Sequence, residues 1–521
     1  MKSPTKQSPP PPLSADALLK SIMRTRIYDL ARETPLSPAS KISEMCKNEV
    51  AVKREDLQPV FSFKIRGAYH KMTMLSESRL SRGVVAASAG NHAQGVALAA
   101  QKLRCRAVIV MPRYAPHIKV SAVRARGARV VLHGDTFDDC ALFARKMATE
   151  ERATLIPPFD DPDIIAGNGT IGAEILRQHS TTPYAVFCAV GGGGLISGIA
   201  AYIKALRPEV RIIGVEAADS ASMSASLLAG RRVRLSQIGT FADAVAVKVP
   251  GRLTFECVRQ WADELITVGN DEICAAIKDL YEDTRVIFEP GGALAVAGLK
   301  QYAAARRIRR KHLVAVGSGA NMDFDRLRFV SERAEIGEQR EALFAITIPE
   351  RPGSFRDFCA LLGQRNVTEF NYRMDDPSEA HIFVGMTISE YAERREVRQK
   401  LRAAGLSTID LTDDEMAKLH IRHMVGGRAR AENEVICRFE FPERPGALMN
   451  FLNALGRSRR NWNISLFHYR NNGADAGRIL VGIQVPPAER PMFAKALKQL
   501  GYAHETENDN PAYRLFLHAD A

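Results

Sequence analysis

Short apolar runs alternate with amphipathic stretches from about Leu18 to Asp325. Residues 83–88, 107–112, 128–132, 211–216 and 312–317 are rich in β-branched side chains, and each precedes turn or helix signals. This pattern predicts buried strands of parallel sheets in an α/β domain. In such sheets ligands sit beyond the carboxyl ends of the strands. Three glycine-containing loops fall at those ends: Ser88-Ala89-Gly90-Asn91-His92, Gly191-Gly192-Gly193-Gly194 and Gly317-Ser318-Gly319-Ala320-Asn321. They are expected to converge on one pocket.

The rhythm changes after a charged neck at 331–341. Phe344-Ala345-Ile346-Thr347-Ile348-Pro349-Glu350-Arg351-Pro352-Gly353 recurs as Cys437-Arg438-Phe439-Glu440-Phe441-Pro442-Glu443-Arg444-Pro445-Gly446. Each copy runs on through an amphipathic helix ending in Leu-Gly, at 362–363 and 455–456. A strand-like segment closing in Tyr-Arg follows, at Tyr372-Arg373 and Tyr469-Arg470. Self-similarity of this kind marks duplicated modules. The order strand, Pro-Gly turn, helix, strand predicts a small ferredoxin-like α+β unit in each copy. An extra segment around Arg457-Ser458-Arg459-Arg460 disturbs the spacing in the second.

The four glycines follow an apolar run, 184–190, and precede 195–203, which reads as the start of a helix. Without Cβ atoms the backbone takes positive φ and approaches a ligand closely. Its N–H groups, with those of the helix N-terminus, form a cradle for a multiply charged anion such as a phosphate. The run is neither G-x-G-x-x-G nor a Walker loop, which argues against a dinucleotide or ATP.

Composition narrows the field. At 521 residues the chain exceeds one core, and 46% hydrophobic with 25% charged residues is ordinary for a soluble globular protein. No apolar stretch approaches bilayer length, so no membrane role is expected. The formal charge of +13 comes from short, dispersed arginine-rich stretches. Such a distribution favours a solvated surface over nucleic-acid binding. Eight scattered cysteines with no C-x-x-C pair predict reduced thiols, a cytoplasmic setting and no zinc site. Residues 1–17, with a proline run at 9–12, read as a disordered tail.

One lysine completes a set. Ser62-Phe63-Lys64-Ile65-Arg66-Gly67-Ala68 opens an expected helix with apolar neighbours around Lys64. A desolvated amine beside a phosphate cradle is the minimal equipment for pyridoxal phosphate (PLP). Together, this heptapeptide, Ser88-Ala89-Gly90-Asn91-His92-Ala93-Gln94-Gly95, the tetraglycine and Ser318-Gly319-Ala320-Asn321 resemble the PLP-dependent serine/threonine dehydratases of fold type II. The duplicated tail narrows the resemblance to the long biosynthetic threonine dehydratases, which carry two ACT-like regulatory domains. It runs from about residue 20 to the C-terminus.

The resemblance implies a fold type II catalytic domain of two parallel-sheet subdomains at 18–330. A neck at 331–341 and ACT-like repeats at 342–414 and 435–506 follow, then a C-terminal extension at 507–521. It implies Lys64 as the residue that binds PLP covalently and moves the Cα proton. Gly191, Gly192, Gly193, Gly194 and the Leu195 amide would hold the phosphate, Asn91 the ring hydroxyl and Ser318 the pyridine nitrogen. The amides of Ser88, Ala89, Gly90, Asn91 and His92 would grip the substrate carboxylate. The implied reaction converts L-threonine to 2-oxobutanoate and ammonia, the first step toward isoleucine. Isoleucine is the implied inhibitor and valine its antagonist, with Tyr372 and Tyr469 as candidate effector residues, and a homotetramer is expected.

Serine dehydratases and racemases of the same fold are the nearest alternatives, since one substrate methyl is worth only ~1–3 kcal/mol. A non-catalytic amino-acid sensor is a more distant one. Three features depart from the family pattern. Gly291 stands where serine is frequent, Asn168 where glutamine is common, and Glu216 and Asp219 read as a surface pair rather than a cation site.

Overall fold

The computed structural model describes residues 14–338, 340–349, 358, 361–362, 367–373, 378–389, 391–423, 433–442, 462–470 and 476–517. The chain divides into two compact units, Met1–Asp323 and Phe324–Ala521.

The first unit contains the strands β1 (Leu36–Pro38), β2 (Glu49–Arg54), β3 (Val84–Ala87), β4 (Ala107–Met111) and β5 (Arg129–Leu132). They are followed by β6 (Thr154–Leu155), β7 (Ala185–Ala189), β8 (Arg211–Ala217), β9 (Glu264–Val268) and β10 (His312–Gly317). One sheet has the order β5-β4-β3-β6 and is wholly parallel. The other has the order β1-β2-β10-β7-β8-β9 and is parallel except at β1. These are the two parallel-sheet subdomains expected for the first unit. β10, last in sequence, inserts between β2 and β7, with Val314 opposite both Ala51 and Val186. Residues 318–321 and 191–194 therefore leave neighbouring strands at the same sheet edge.

Burial on both faces explains the near-continuous apolar runs. In β3, Val84 and Ala86 pack with Ile65, Ala68 and Met72 of the helix Lys64–Thr73. Val85 and Ala87 pack on the other face with Cys140, Ala144 and Ala148. In the second sheet, Val186 and Cys188 meet Ile196, Ile199 and Ile203 of the helix Gly194–Leu206, with Ile171 and Ile175 of the helix Pro162–Gln178.

The tail reading is corrected at its inner end. Ala15–Met23 is helical because Ser14 caps it, accepting the Ala17 N–H at 3.1 Å, and Leu18 and Ile22 are buried. The charged neck is likewise helical over 331–337, within Leu327–Gly337, and its last residue, Glu341, opens a strand.

In the second unit β11 (Glu341–Pro349), β12 (Val367–Arg373), β13 (Glu379–Thr387) and β14 (Ser407–Asp410) form an antiparallel sheet ordered β12-β13-β11-β14. β15 (Glu434–Pro442), β16 (Asn463–Arg470), β17 (Ala476–Gln484) and β18 (Ala503–Thr506) repeat it as β16-β17-β15-β18. Both copies carry a register shift at the same place, between Val367 and Glu369 and between Ile464 and Leu466. Beyond each last strand the correspondence continues. The Leu343 N–H donates to Thr412 Oγ1 at 3.0 Å, and the Ile436 N–H to Asn508 Oδ1 at 3.0 Å. Asp414 and Asn510 then cap short helices and meet each other at 3.1 Å. A core of Leu343, Ala345, Phe383, Met416, Ile436 and Leu480 joins the two copies.

Candidate active site

Each anchor of the site is set by local chain geometry. Phe61 adopts φ +55°, an uncommon conformation for a bulky residue. It is held by its N–H to Gln58 O (2.8 Å) and by its carbonyl accepting from Ala320 N–H (2.9 Å). The turn lets Ser62 bridge Gly319, and the Phe63 N–H reaches Ser318 O at 3.1 Å. Lys64, first residue of its helix, is thereby tied to the end of β10. Gly95 backs onto it, since a Cβ there would lie 3.3 Å from Lys64 main-chain atoms.

The Lys64 ammonium donates to Pro158 O at 3.1 Å and lies 5.0 Å from the Phe63 ring centroid. Burial lowers its pKa from 10.5 to about 8, against the opposing pull of the Glu289 carboxylate. Such an amine deprotonates readily near neutrality and serves as nucleophile or base.

The glycine loop is built for a ligand. Gly193 has φ +91° and caps the helix Gly194–Leu206. Its carbonyl, with those of Gly192 and Gly194, is turned into protein. Gly192 O accepts Thr254 Oγ1 (2.5 Å), Gly193 O accepts Ser197 Oγ (2.7 Å) and Gly194 O accepts Asn168 Nδ2 (3.2 Å). Among the described residues the N–H groups of Gly191, Gly192, Gly193, Gly194 and Leu195 donate to no protein acceptor. Five convergent donors of this kind fit a phosphate. Side chains are excluded, since a Cβ on Gly191 would lie 2.6 Å from Val245 O and one on Gly192 2.3 Å from the Phe159 ring.

Lysine and loop meet through one dipeptide: Pro158 holds the amine, and the Phe159 ring covers Gly192. An anion cradle joined to a low-pKa amine fits a cofactor with a phosphate at one end and an aldehyde at the other. Gly192→Ala is expected to weaken PLP binding about tenfold or more, the ~1–3 kcal/mol cost of overpacking. Titration of the apo-protein by visible absorbance measures this, and an unchanged affinity would remove Phe159 from the cradle.

The remaining expected residues divide between free and committed donors. In the loop after β3, Ser88 N–H is spent on Val110 O (3.1 Å) and Gly90 N–H on Ser88 Oγ (3.1 Å). Only the amides of Ala89, Asn91 and His92 remain without protein acceptors among the described residues. Of the five amides expected at a substrate carboxylate, sheet and turn thus commit two. The Asn91 amide donates to Glu289 Oε1 and accepts from Asn321 Nδ2, both at 2.6 Å. Ser318 Oγ donates to Gly291 O at 3.1 Å. Glu289 carries no role in the sequence reading, yet it is buried beside both Asn91 and Lys64.

Asn168, the apparent departure, supports the glycine loop. At Gly291 a Cβ would stand 3.0 Å from that of Ala244, so the smaller residue suits this packing. The surface-pair reading fails for Glu216. It is fully buried and accepts the Met223 and Ser224 N–H groups at 2.8 and 2.7 Å, capping a short helix. Asp219 alone is exposed. Among the described residues no group of three or more His, Cys, Asp or Glu is placed to hold a metal ion. Tyr372 pairs with Ile382 and Tyr469 with Ile479 at matching strand positions, but their side chains lie outside the described residues, as do residues 457–460.

Fold and cradle together define a pyridoxal-phosphate dependent enzyme of fold type II. That family's model matches residues 27–319, and the model for the C-terminal regulatory domain of threonine dehydratase matches twice, at 332–421 and 425–517. The chain is 54% identical over 503 residues to the L-threonine dehydratase biosynthetic IlvA of Burkholderia multivorans, covering 96% of this chain and 99% of that one. It is 51% identical over 501 residues to the Escherichia coli enzyme of the same name, covering 96% of each chain. The solved structure of processed threonine deaminase isoform 2 from Solanum lycopersicum superposes with a TM-score of 0.61 at 49% identity, over 63% of this chain and 91% of that one. The chain belongs to the family of biosynthetic threonine dehydratases.

Proposed function

We propose that this protein converts L-threonine to 2-oxobutanoate and ammonia, with its second unit as a feedback sensor. The observation that carries the reading is the Lys64 amine, its pKa brought to about 8, one dipeptide away from an unpaired phosphate cradle. Bound PLP supplies an aldehyde for that amine and a ring that stabilises negative charge at the amino acid's Cα.

The chain's residues do the rest. The amides of Gly191, Gly192, Gly193, Gly194 and Leu195 fix the anionic end without side-chain rearrangement. The amides of Ala89, Asn91 and His92, at the start of the helix Asn91–Leu103, receive the substrate carboxylate and so orient the Cα–H bond. Lys64, in its neutral form, would take the Cα proton, and Pro158 O holds its amine at 3.1 Å in the resting site. Ser318, an uncharged hydroxyl resting on Gly291 O, would meet the ring nitrogen, and Asn91, fixed by Glu289 and Asn321, would meet the ring hydroxyl. A neutral partner at the nitrogen would leave charge at Cα and favour departure of the Cβ hydroxyl as water, the proton it needs balancing the one taken from Cα.

Isoleucine and valine are the effectors in this reading, bound by the duplicated unit near Tyr372 and Tyr469, in a homotetramer. The matched hydrogen bonds after β14 and β18 support extending the first repeat past 414, to 423, and counting 507–517 with the second repeat rather than as an extension. A cytoplasmic setting with reduced thiols belongs to the same reading.

One assay tests both halves. Ketoacid is expected to form from threonine faster than from serine, and isoleucine is expected to depress the rate at sub-saturating threonine, a coupling of ~1–3 kcal/mol. No ketoacid from threonine would overturn the catalytic reading. A saturation curve indifferent to isoleucine would overturn the sensor alone.

A further inference from the structure

His92 is absent from the chemistry above except through its backbone amide. Its side chain is nevertheless 3% exposed, and its Nε2 stands 2.9 Å from Ile156 O. A carbonyl only accepts, so Nε2 carries the proton and donates. Burial and the nearby Lys64 charge hold its pKa down at about 3, so the ring is neutral near pH 7.

The position of the accepting carbonyl gives this bond its meaning. Ile156 is the first residue past β6, and its own N–H is spent on Val85 O at 2.9 Å. Two residues on, Pro158 O takes the Lys64 amine at 3.1 Å. Phe159 follows, with its ring against Gly192 and its Cβ 2.9 Å from where a Gly194 Cβ would stand. Beyond it, Asp160 accepts the Arg252 and Leu253 N–H groups, both at 2.8 Å. Between the end of β6 and Asp160, where Ile156 is buried and 157–160 are partly buried, the His92 imidazole is the donor that ties the segment back to the helix Asn91–Leu103.

We infer that His92 is a positioning residue: its imidazole N–H sets where residues 156–159 lie, and through them the resting place of the Lys64 amine and the cover over the phosphate loop. The helix turn that receives the substrate carboxylate thus also fixes the acceptor of the base that takes the Cα proton. This rests on the proposed dehydratase reading and adds a residue to it.

Three variants of the full-length protein test it, His92→Leu, His92→Gln and His92→Asn. Gln places an amide N–H near the Nε2 position, Asn reaches only as far as Nδ1, and Leu fills the space without a donor. In the apo-protein, the dissociation constant for PLP, read from visible absorbance, is expected to rise about tenfold in H92L, the worth of one lost hydrogen bond. It is expected to stay near wild type in H92Q. In the holoenzyme, kcat for threonine falls at least about tenfold in H92L and H92N, with KM within about threefold, because the carboxylate amides remain. H92Q restores kcat.

H92L with wild-type PLP affinity and kcat would overturn the inference, as would H92Q impaired as much as H92L. Should H92L fail to fold, equal kcat and equal PLP affinity in H92Q and H92N would overturn it instead. A wild-type protein that makes no ketoacid from threonine would fail the parent reading. The PLP titration then still decides whether His92 positions the segment.

Discussion

Replacing Lys64 by alanine is expected to abolish ketoacid formation and the visible absorbance of bound cofactor together. The same nitrogen serves as covalent attachment and as base, so the loss should reach about 10,000-fold or more in kcat. Lys64→Arg should be equally inactive, because a guanidinium neither attacks an aldehyde nor gives up its proton in this range. The structure adds a second consequence of opposite sign. A lysine whose folded-state pKa is about 8, against 10.5 ordinarily, is held in the fold at a cost. That cost is full below about pH 8 and is relieved as pH rises toward 10.5, where the unfolded chain also loses its proton. Apo Lys64→Met, which keeps the stem without the charge, should therefore be more stable than apo wild type at neutral pH. The gap should close on raising the pH through that window. Denaturation of both apo-proteins across the range checks this, and retained turnover in Lys64→Ala, or a pH-independent gap, would contradict the assignment.

What the sequence disclosed followed from how local each feature is. Four adjacent glycines after a β-branched run advertise a cradle without reference to the rest of the chain. The repeated Pro-Gly turns likewise advertise duplication, and the long strands at 184–190, 211–216 and 312–317 appeared within a residue or two of their observed ends. Lys64 became legible only in company, through its family resemblance. Pro158, Phe159, Thr254 and Glu289 escaped notice as parts of the site because each comes from a segment distant in sequence and acts through tertiary contact. β6 spans two residues, Thr154–Leu155, too short for a periodic signal, so the loop after it had no strand to announce it. That the amides of Ser88 and Gly90 are already committed is hidden for the same reason. Whether an N–H is free depends on Val110 and on a turn, and neither is visible in a motif.

Arg66 is where loss of one side chain should unfold the most. It lies two residues after Lys64, fully buried, and forms bidentate pairs with Glu55 and Glu174 at 2.5 to 2.9 Å. Lys53 completes a neutral quartet through Glu174 at 2.6 Å, and Thr34, Tyr28 and Thr170 satisfy further oxygens and a guanidinium N–H. Burial alone would raise the Glu174 pKa, but the charges of Arg66 and Lys53 more than reverse it. The contribution of this carboxylate is thus present at neutral pH and is lost only as pH falls below the ordinary carboxyl range. Arg66→Met leaves two buried carboxylates facing one lysine, and breaking such a cluster from one side costs ~3–5 kcal/mol. Because the guanidinium pins the helix Lys64–Thr73 to the helix Pro162–Gln178, the lysine should lose its fixed position before the unit unfolds. Denaturant titration followed by cofactor absorbance and by far-UV dichroism should show the absorbance midpoint falling first and furthest. A shift below about 1 kcal/mol, the range of exposed pairs, would mean that the quartet neither holds this helix nor sets its stability.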